Sequence, residues 1–192
     1  MIGVALLTAT VFVLAGGAKS EEVDSDPAVP WAIKALTPVG HTLDVKAVSA
    51  DGKMLDVKAI PAHAHVLDVK AIDPGGELIP IKLLPSDRAD GDYSVRAIPA
   101  GGDPLSIVAR GPDGQTYPVQ GLGGDGVVVD IKAVEPDGSR LAIKAISPQG
   151  LVFAVKGLDF SDETDVADPS IEVNGVEYIG HVKALPDLSI EP

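Results

Sequence analysis

The chain of 192 residues has no cysteine, and aromatic residues make up only 4% of it. Without cysteine, disulfides, zinc–thiolate sites, iron–sulfur clusters and cysteine nucleophiles are all excluded. Apolar residues still account for 45% of the sequence, so a buried core can form. With so few aromatic rings available, we expect that core to consist of Val, Ile, Leu and Ala.

Positive charge is also scarce. Lys and Arg number 15 against 28 Asp and Glu, which gives a formal net charge of -13. This balance argues against a nucleic-acid partner, because no basic surface is large enough to neutralise phosphates. It also argues against binding to anionic membranes, and we expect it mainly to keep an exported protein soluble.

Catalytic signatures are absent from the sequence. There is no Ser–His–Asp pattern and no nucleotide fingerprint, and the Gly-rich stretch 123–126 precedes a strand pattern rather than a helix. We expect this stretch to be a hairpin loop. The sequence therefore predicts a protein that is not an enzyme and that carries no cofactor.

What the chain does contain is one six-residue phrase, repeated at a spacing of twelve residues with two longer steps, of 14 and 27 residues. It reads LDVKAV at Leu43, for example, and LDVKAI at Leu55. The twelve copies begin at Trp31, Leu43, Leu55, Leu67, Ile79, Tyr93, Leu105, Tyr117, Val129, Leu141, Phe153 and Gly180. A short fixed period of this kind is typical of a repeat architecture.

Each phrase alternates in the manner of a β-strand, since every second residue is apolar and many of these are β-branched. Between phrases lie turn sequences such as Glu135–Pro136–Asp137–Gly138, in which Gly takes the left-handed position of a bulged hairpin loop. A twelve-residue strand-turn unit fits either an antiparallel meander or a parallel solenoid. A propeller is a weaker alternative, because twelve strands make only three four-stranded blades.

The charged positions favour the antiparallel meander. A parallel stack would place Asp beside Asp and Lys beside Lys, which destabilises a sheet. A hairpin centred on Asp51 instead brings Lys46 opposite Asp56. The same reasoning, applied to a hairpin centred on His63, predicts that Lys58 faces Asp68.

We therefore predict an all-β fold: an antiparallel meander of about twelve short strands, folded into a two-layer sandwich or a flattened barrel, with the solenoid as the alternative. The repeat domain spans 31–158. An apolar segment, 1–18, and an acidic linker, 19–30, precede it. An acidic loop, 159–170, and a C-terminal hairpin and tail, 171–192, follow it. The expected sheet edges are the last strand and, at the other end, the strand at Trp31 or the one before it.

The VKA-[ILV]-x-P-x-G phrase resembles short tandem repeats in uncharacterised secreted bacterial proteins, a family of unknown function. The resemblance covers Trp31 to Leu158. It implies a secreted repeat protein and brings no catalytic residues with it. The chain departs from the pattern at Val108–Arg110 and Val119–Gly121, where the VKA core is lost.

The apolar run from Ile2 to Ala18 ends in small residues, AGGA, which suit a signal-peptide cleavage site, although a positively charged start is missing. The run is short for a stable membrane span, which needs about 20 apolar residues. We interpret it as an export signal. Its TATVFVLA portion is also rich in strand-forming residues, so the alternative is a β-strand used in assembly.

Metal sites are not expected. His63 and His65 form a His-x-His pair, but no third ligand lies nearby in sequence, so we interpret them as polar turn residues. The acidic residues of 159–168 and of 87–92 lack the spacing of a calcium loop and predict solvated loops. Lys and Arg at the fourth phrase position would form a cationic stripe, which either binds an acidic polymer or pairs with Asp across strands. We favour the pairing with Asp.

These observations predict a secreted, non-enzymatic structural subunit that self-associates into an extracellular filament or cell-surface assembly. It would polymerise through sheet edges and through donation of the N-terminal strand. The candidate assembly residues are Val11, Phe12, Val13, Leu14, Trp31, Tyr178 and Val182. The alternative is a secreted binding module for a glycan, a peptide or a surface protein, which clustering of Trp31, Tyr93 and Tyr117 on one surface would support.

Overall fold

The computed structural model describes residues 29–63, 65–85, 92–123, 127–160, 171–173 and 175–186, and all the regular structure in these ranges is β-strand. The strands are β1 Trp31–Leu36, β2 Thr42–Val48, β3 Met54–His63, β4 Val66–Ile72, β5 Leu78–Leu84, β6 Tyr93–Ala97, β7 Leu105–Arg110, β8 Thr116–Leu122, β9 Val128–Val134, β10 Arg140–Ile146, β11 Val152–Asp159, β12 Ile171–Val173, β13 Val176–Tyr178 and β14 Gly180–Pro186.

Every copy of the phrase forms a strand. The twelve copies are β1 to β11 and β14, and together they make one 12-stranded sheet in which all pairs are antiparallel. Alternate residues of each strand point into the core, as the burial of Trp31, Ile33 and Ala35 shows for β1. The prediction of an all-β fold of about twelve antiparallel strands is confirmed, and the parallel solenoid is wrong.

The turns between the strands depend on glycine. In the β2–β3 turn the Gly52 amide donates to the Ser49 carbonyl, and the Ser49 amide donates to the Lys53 carbonyl. Gly52 has a φ of 83°, in the left-handed region that glycine adopts at little cost. Gly138 holds the same position of the β9–β10 turn with a φ of 88°. These are the left-handed glycines that the turn sequences predict.

The strands pair in an unusual way, because each has three partners rather than two. One side of β2 pairs along its length with β7. Its other side is divided: the first half pairs with β1 and the second half with β3. β1 and β3 also pair with each other, so the three strands form a closed triangle.

Four such triangles make up the sheet. We call them the first cluster (β1, β2, β3), the second (β4, β5, β14), the third (β6, β7, β8) and the fourth (β9, β10, β11). Six long strand pairs join every cluster to each of the other three: β1–β10, β2–β7, β3–β4, β5–β6, β8–β9 and β11–β14. The pairing pattern is that of a truncated tetrahedron, in which the twelve strands are the corners, the strand pairs are the edges and the four clusters are the triangular faces. Within the described strands the sheet therefore closes on itself.

This closure corrects the expectation about sheet edges. β1 pairs with β10, β2 and β3, and β14 pairs with β11, β4 and β5. Both strands thus have partners on both sides. The sequence suggested edges at β1 and β14 because they are the first and last copies of the phrase. It does not show that β14 pairs with β4 and β5 and so closes the sheet.

The core has two layers of positions. The third residue of each phrase, Val or Ile, points to the centre, where the twelve side chains enclose a space of only about 10 Å3. They are Ile33, Val45, Val57, Val69, Ile81, Val95, Ile107, Val119, Ile131, Ile143, Val155 and Val182. A water molecule needs about 10–15 Å3, so the centre is effectively filled.

Around this centre, large residues face small ones. Within each cluster the first phrase residue of one strand lies opposite the fifth phrase residue of the preceding strand. In the first cluster these pairs are Leu43 with Ala35, Leu55 with Ala47 and Trp31 with Ala59. The pairing keeps the local side-chain volume nearly constant, which close packing demands.

The predicted hairpin register is confirmed for β2 and β3, where Lys46 faces Asp56. For β3 and β4 it is wrong. Lys58 faces Lys70, and Asp68 faces Ile60. The β3–β4 pair joins two clusters, and in all six such pairs the fourth phrase residues face each other, as Lys34 and Lys144 do in β1–β10. An irregularity between Pro61 and His63 shifts the register only near the hairpin end. The regular spacing of the phrases does not reveal which consecutive strands belong to different clusters.

The region after β11 forms the predicted hairpin, in which β12 pairs with β13 around a turn that includes Gly175, whose φ is 76°. β14 is not part of that hairpin and belongs to the main sheet. Residues 161–170, most of the predicted acidic loop, lie outside the described residues.

Candidate functional surfaces

The outer surface of each cluster carries the fourth phrase residue of each of its three strands. Each of these residues faces the second phrase residue of the following strand in the cluster, and the third strand is followed by the first. In the first cluster Lys34 pairs with Asp44, and Lys46 pairs with Asp56 at 2.5 Å. The third lysine, Lys58, faces Ala32 instead of an acid. The lysine stripe predicted from sequence is thus divided into rings of three.

These ion pairs lower the pKa of their aspartates. The hydrogen bond from Lys34 is the main cause at Asp44, and that from Lys46 is the main cause at Asp56. In the fourth cluster Lys156 lowers the pKa of Asp130 in the same way. The aspartates are largely exposed, so each pair contributes only about 0.2–1 kcal/mol. This arrangement agrees with the favoured interpretation, in which lysine pairs with Asp across strands.

The third cluster has lost this chemistry. Arg96 donates a hydrogen bond to the Ser106 hydroxyl. Val108 faces Pro118, and Gln120 faces Ser94. This is the part of the chain in which the sequence departs from the repeated phrase.

The second cluster holds a contact that the sequence analysis missed. Lys82 Nζ lies 2.7 Å from His181 Nδ1 and 4.3 Å from the centre of the Tyr178 ring. The Tyr178 and His181 rings lie 5.9 Å apart, and Phe160 packs against both. The available signal was His181 itself, because it occupies the phrase position that Asp holds in β2, β3, β4 and β9.

Burial changes the pKa values in this contact. Loss of water, together with the charges of Lys70 and Lys183, lowers the pKa of Lys82 to about 8. Burial also lowers the pKa of His181 to about 4, with help from the positive charge of Lys82. Near pH 7 the imidazole is therefore neutral, and the Lys82 ammonium donates a hydrogen bond to it.

Asp68 is the acid of the second cluster. It pairs with Lys183 and lies 3.4 Å from Lys70. Burial raises the pKa of Asp68, but the Lys183 hydrogen bond and the Lys70 charge outweigh it, so the pKa falls overall. The cluster thus joins β14 to β4 by an ion pair and to β5 by the Lys82–His181 hydrogen bond, which gives it a structural role in closing the sheet.

The three predicted assembly residues that the structure describes are buried. Trp31 is 4% exposed and packs on Phe153 with ring centroids 4.7 Å apart. Val182 lines the filled centre, and Tyr178 lies under the Lys82 amine. In the closed fold all three contribute to the core of their own chain. Val11, Phe12, Val13 and Leu14 lie outside the described residues, and an assembly role for the seven stays a prediction.

Because Trp31 is buried, it does not join Tyr93 and Tyr117 in an exposed aromatic surface. Those two tyrosines belong to the third cluster and pack against the core. The observation that would have supported a sugar-binding module is therefore not found.

Metal ligands do not gather in the part of the chain that the structure describes, where no group of three or more His, Asp or Glu side chains could hold an ion. His65 is exposed in its turn, and the His63 side chain is outside the description. One surface depression, of about 540 Å3, lies between the turns at 49–53, 73–77 and 99–103 and is partly open to solvent.

Comparison with known proteins gives a family but no activity. Residues 27–185 match the model of a family of unknown function (DUF7486), which covers most of the chain. The chain belongs to this family. No curated protein and no solved structure matches it. Within the described residues there is no helix of the length and apolar character needed to cross a bilayer.

Proposed function

We propose that the protein is a secreted, non-enzymatic structural subunit of an extracellular filament or cell-surface assembly. The repeat domain would serve as a preformed block, and the apolar segment 1–18 would make the contact between subunits. The observation that carries this proposal is the closure of the sheet, in which each of the twelve strands is paired on both sides.

The closed sheet encloses a filled core and not a ligand-binding cavity. The centre offers only about 10 Å3, so it has no room for a substrate or a ligand. The side chains that the phrase repeats are used to fill this centre and to pair across the strands. A surface contact is then the remaining route by which the domain can act.

Closure also argues against polymerisation by addition of strands to the 12-stranded sheet, because strand addition needs an unpaired strand edge. We therefore assign the contact to segment 1–18. Its strand-forming residues, such as Val11, Phe12 and Val13, have no counterpart in the twelve-residue repeat. In this proposal, donated segments from neighbouring subunits pair with each other outside the closed sheet.

The test compares the full chain with a chain that starts at residue 29, just before β1. We expect the full chain to form filaments or large particles by negative-stain microscopy and light scattering, and the shorter chain to be a folded monomer. A full-length Val11→Asp/Val13→Asp variant is the matched control. It keeps the segment but gives it charges that a buried strand does not tolerate, so we expect it to remain monomeric.

Two results would overturn the proposal. One is assembly of the chain that starts at residue 29. The other is an exported protein whose N-terminal sequence begins after Ala18, since the segment would then be an export signal that is removed before any assembly.

A further inference from the structure

The first cluster has one acid fewer than its lysines require. Lys34 and Lys46 each have an aspartate partner, but Lys58 faces Ala32. Within the described residues Lys58 makes no ion pair or hydrogen bond, although its charge helps to lower the pKa of Asp44 and Asp56.

A depression of about 320 Å3 lies above Ala32, at the place that a third aspartate would fill. Its lining combines two cations and two hydroxyls with apolar side chains. These residues are Lys34, Lys58, Thr42, Ser147, Pro30, Ala32, Ile146 and Pro148. The depression therefore offers a positive charge beside an apolar wall, which suits a short acidic peptide that also carries apolar residues.

Such a segment directly precedes the described part of the chain in the sequence. Residues 19–28 read KSEEVDSDPA and contain Glu21, Glu22, Asp24 and Asp26. They lead directly into Pro30, which is itself part of the lining. At about 3.3 Å per residue, Asp26 can reach roughly 13 Å from Pro30. Because the segment is tethered, its effective concentration at the depression is on the order of millimolar.

We propose that the acidic segment 19–28 folds back onto the first cluster of its own chain and places a carboxylate in the depression above Ala32, where it pairs with Lys58. The segment supplies the acid that the phrase lacks at Ala32. This docking fixes the direction in which residues 1–18 leave the domain. It is independent of whether those residues link subunits.

The test is a double-mutant cycle in the full chain. One change is Lys58→Gln. The other is an amide variant with Glu21→Gln, Glu22→Gln, Asp24→Asn and Asp26→Asn. We expect the two changes to be coupled. At low salt, Lys58→Gln should lower the folding equilibrium constant about twofold to fivefold more in the chain with the native acidic segment than in the amide variant. The coupling should disappear at about 1 M salt, where charges are screened within about 3 Å.

Lys132→Gln is the matched control. Lys132 of the fourth cluster also faces an alanine, Ala142, across the strands, although its Nζ lies 3.6 Å from Asp130 of its own strand. We expect no coupling between Lys132→Gln and the amide variant. Equal coupling at both lysines would show a general effect of net charge and would overturn the proposal.

The NMR signals of the Lys58 side chain give a second readout that does not depend on unfolding. We expect them to shift between the native chain and the amide variant, and hexaglutamate to move them only in the amide variant, where the depression is empty. An equal response of the native chain would mean that the depression is open to outside anions. Coupling that grows with protein concentration would mean that a second copy supplies the segment. Either result would overturn docking within one chain.

Discussion

The first and second clusters have the same strand pairing but differ in the packing of one residue pair. In the first cluster the large residue is at the start of the phrase and the small residue near its end, as in Trp31 opposite Ala59. In the second cluster one of the three pairs reverses this order, because Leu83 takes the small position and faces Gly180 in the large one. The other two pairs keep it, as in Ile79 opposite Ala71. The comparison shows that the fold requires a constant combined volume and not a particular residue at either position.

The reversal occurs where three clusters meet. Leu83 is fully buried, and atoms of its side chain lie close to Gly121 of the third cluster, Gly157 of the fourth and Gly180 of the second. One leucine thus fills the space that several side chains share in the regular part of the molecule. We expect the second cluster to be the more sensitive of the two to a change of volume.

The largest expected effect comes from Leu83→Ala. Deletion of a buried leucine costs about 2–5 kcal/mol of unfolding free energy, and more when the site cannot collapse. Glycines have no side chains with which to fill the cavity, so we expect a value near the upper end. Leu43→Ala in the first cluster is the control and should fall near the lower end. Urea denaturation of both variants measures the difference, and equal losses would contradict the comparison.

Substitution of Gly157 and Gly180 distinguishes a tight contact with a side chain from a tight contact with the backbone. A Cβ at position 157 would lie 2.6 Å from Leu83 Cδ1, whereas one at position 180 would lie 2.5 Å from the Leu158 carbonyl oxygen. We expect Gly157→Ala and Gly180→Ala each to cost about 1–3 kcal/mol by overpacking. In a Leu83→Ala background the cost of Gly157→Ala should largely vanish, but that of Gly180→Ala should persist because backbone cannot move aside.

The same denaturation experiments decide the point. If Leu83→Ala relieves both glycine substitutions, or neither, the distinction between side-chain and backbone contact is wrong.

Much of the first cluster could be predicted from sequence, whereas the second could not. The alternation of Leu43, Val45 and Ala47 predicts a strand, and the charges of Lys46 and Asp56 predict its register with the next strand. Pairwise reasoning of this kind treats each strand as having one neighbour at a time. It therefore missed the divided pairing, in which one half of β2 leaves β3 and joins β1.

The second cluster was missed for a related reason. β4 and β5 are consecutive in the chain, but β14 follows only after the acidic loop and the β12–β13 hairpin. No local pattern shows that His181 will lie beside Lys82, which is 99 residues away in sequence. The only hint was chemical, since His181 stands where the phrase elsewhere has Asp.

The smallest expected effect concerns pH and again contrasts the two clusters. His181 has a folded pKa of about 4 against an ordinary value of 6.5. The unfolded chain therefore binds a proton more readily between these values, and the stability that His181 contributes is complete above pH 6.5 and lost as pH falls toward 4. The first cluster responds at lower pH, because Asp44 and Asp56 titrate below their ordinary value of 3.8.

Between pH 7 and pH 5 only the second of these two clusters should therefore lose stability. We expect the native chain to lose about 1 kcal/mol more than a His181→Gln variant over this interval, a modest value because water screens the partly exposed ring. Gln keeps a hydrogen-bond acceptor for Lys82 and does not titrate. The variant therefore separates the effect of imidazole protonation from the effect of losing the hydrogen bond to Lys82. Urea denaturation at the two pH values measures the loss. If the native chain and the variant lose the same amount, His181 is not the group that titrates, and the burial of the Lys82–His181 contact has no consequence for stability.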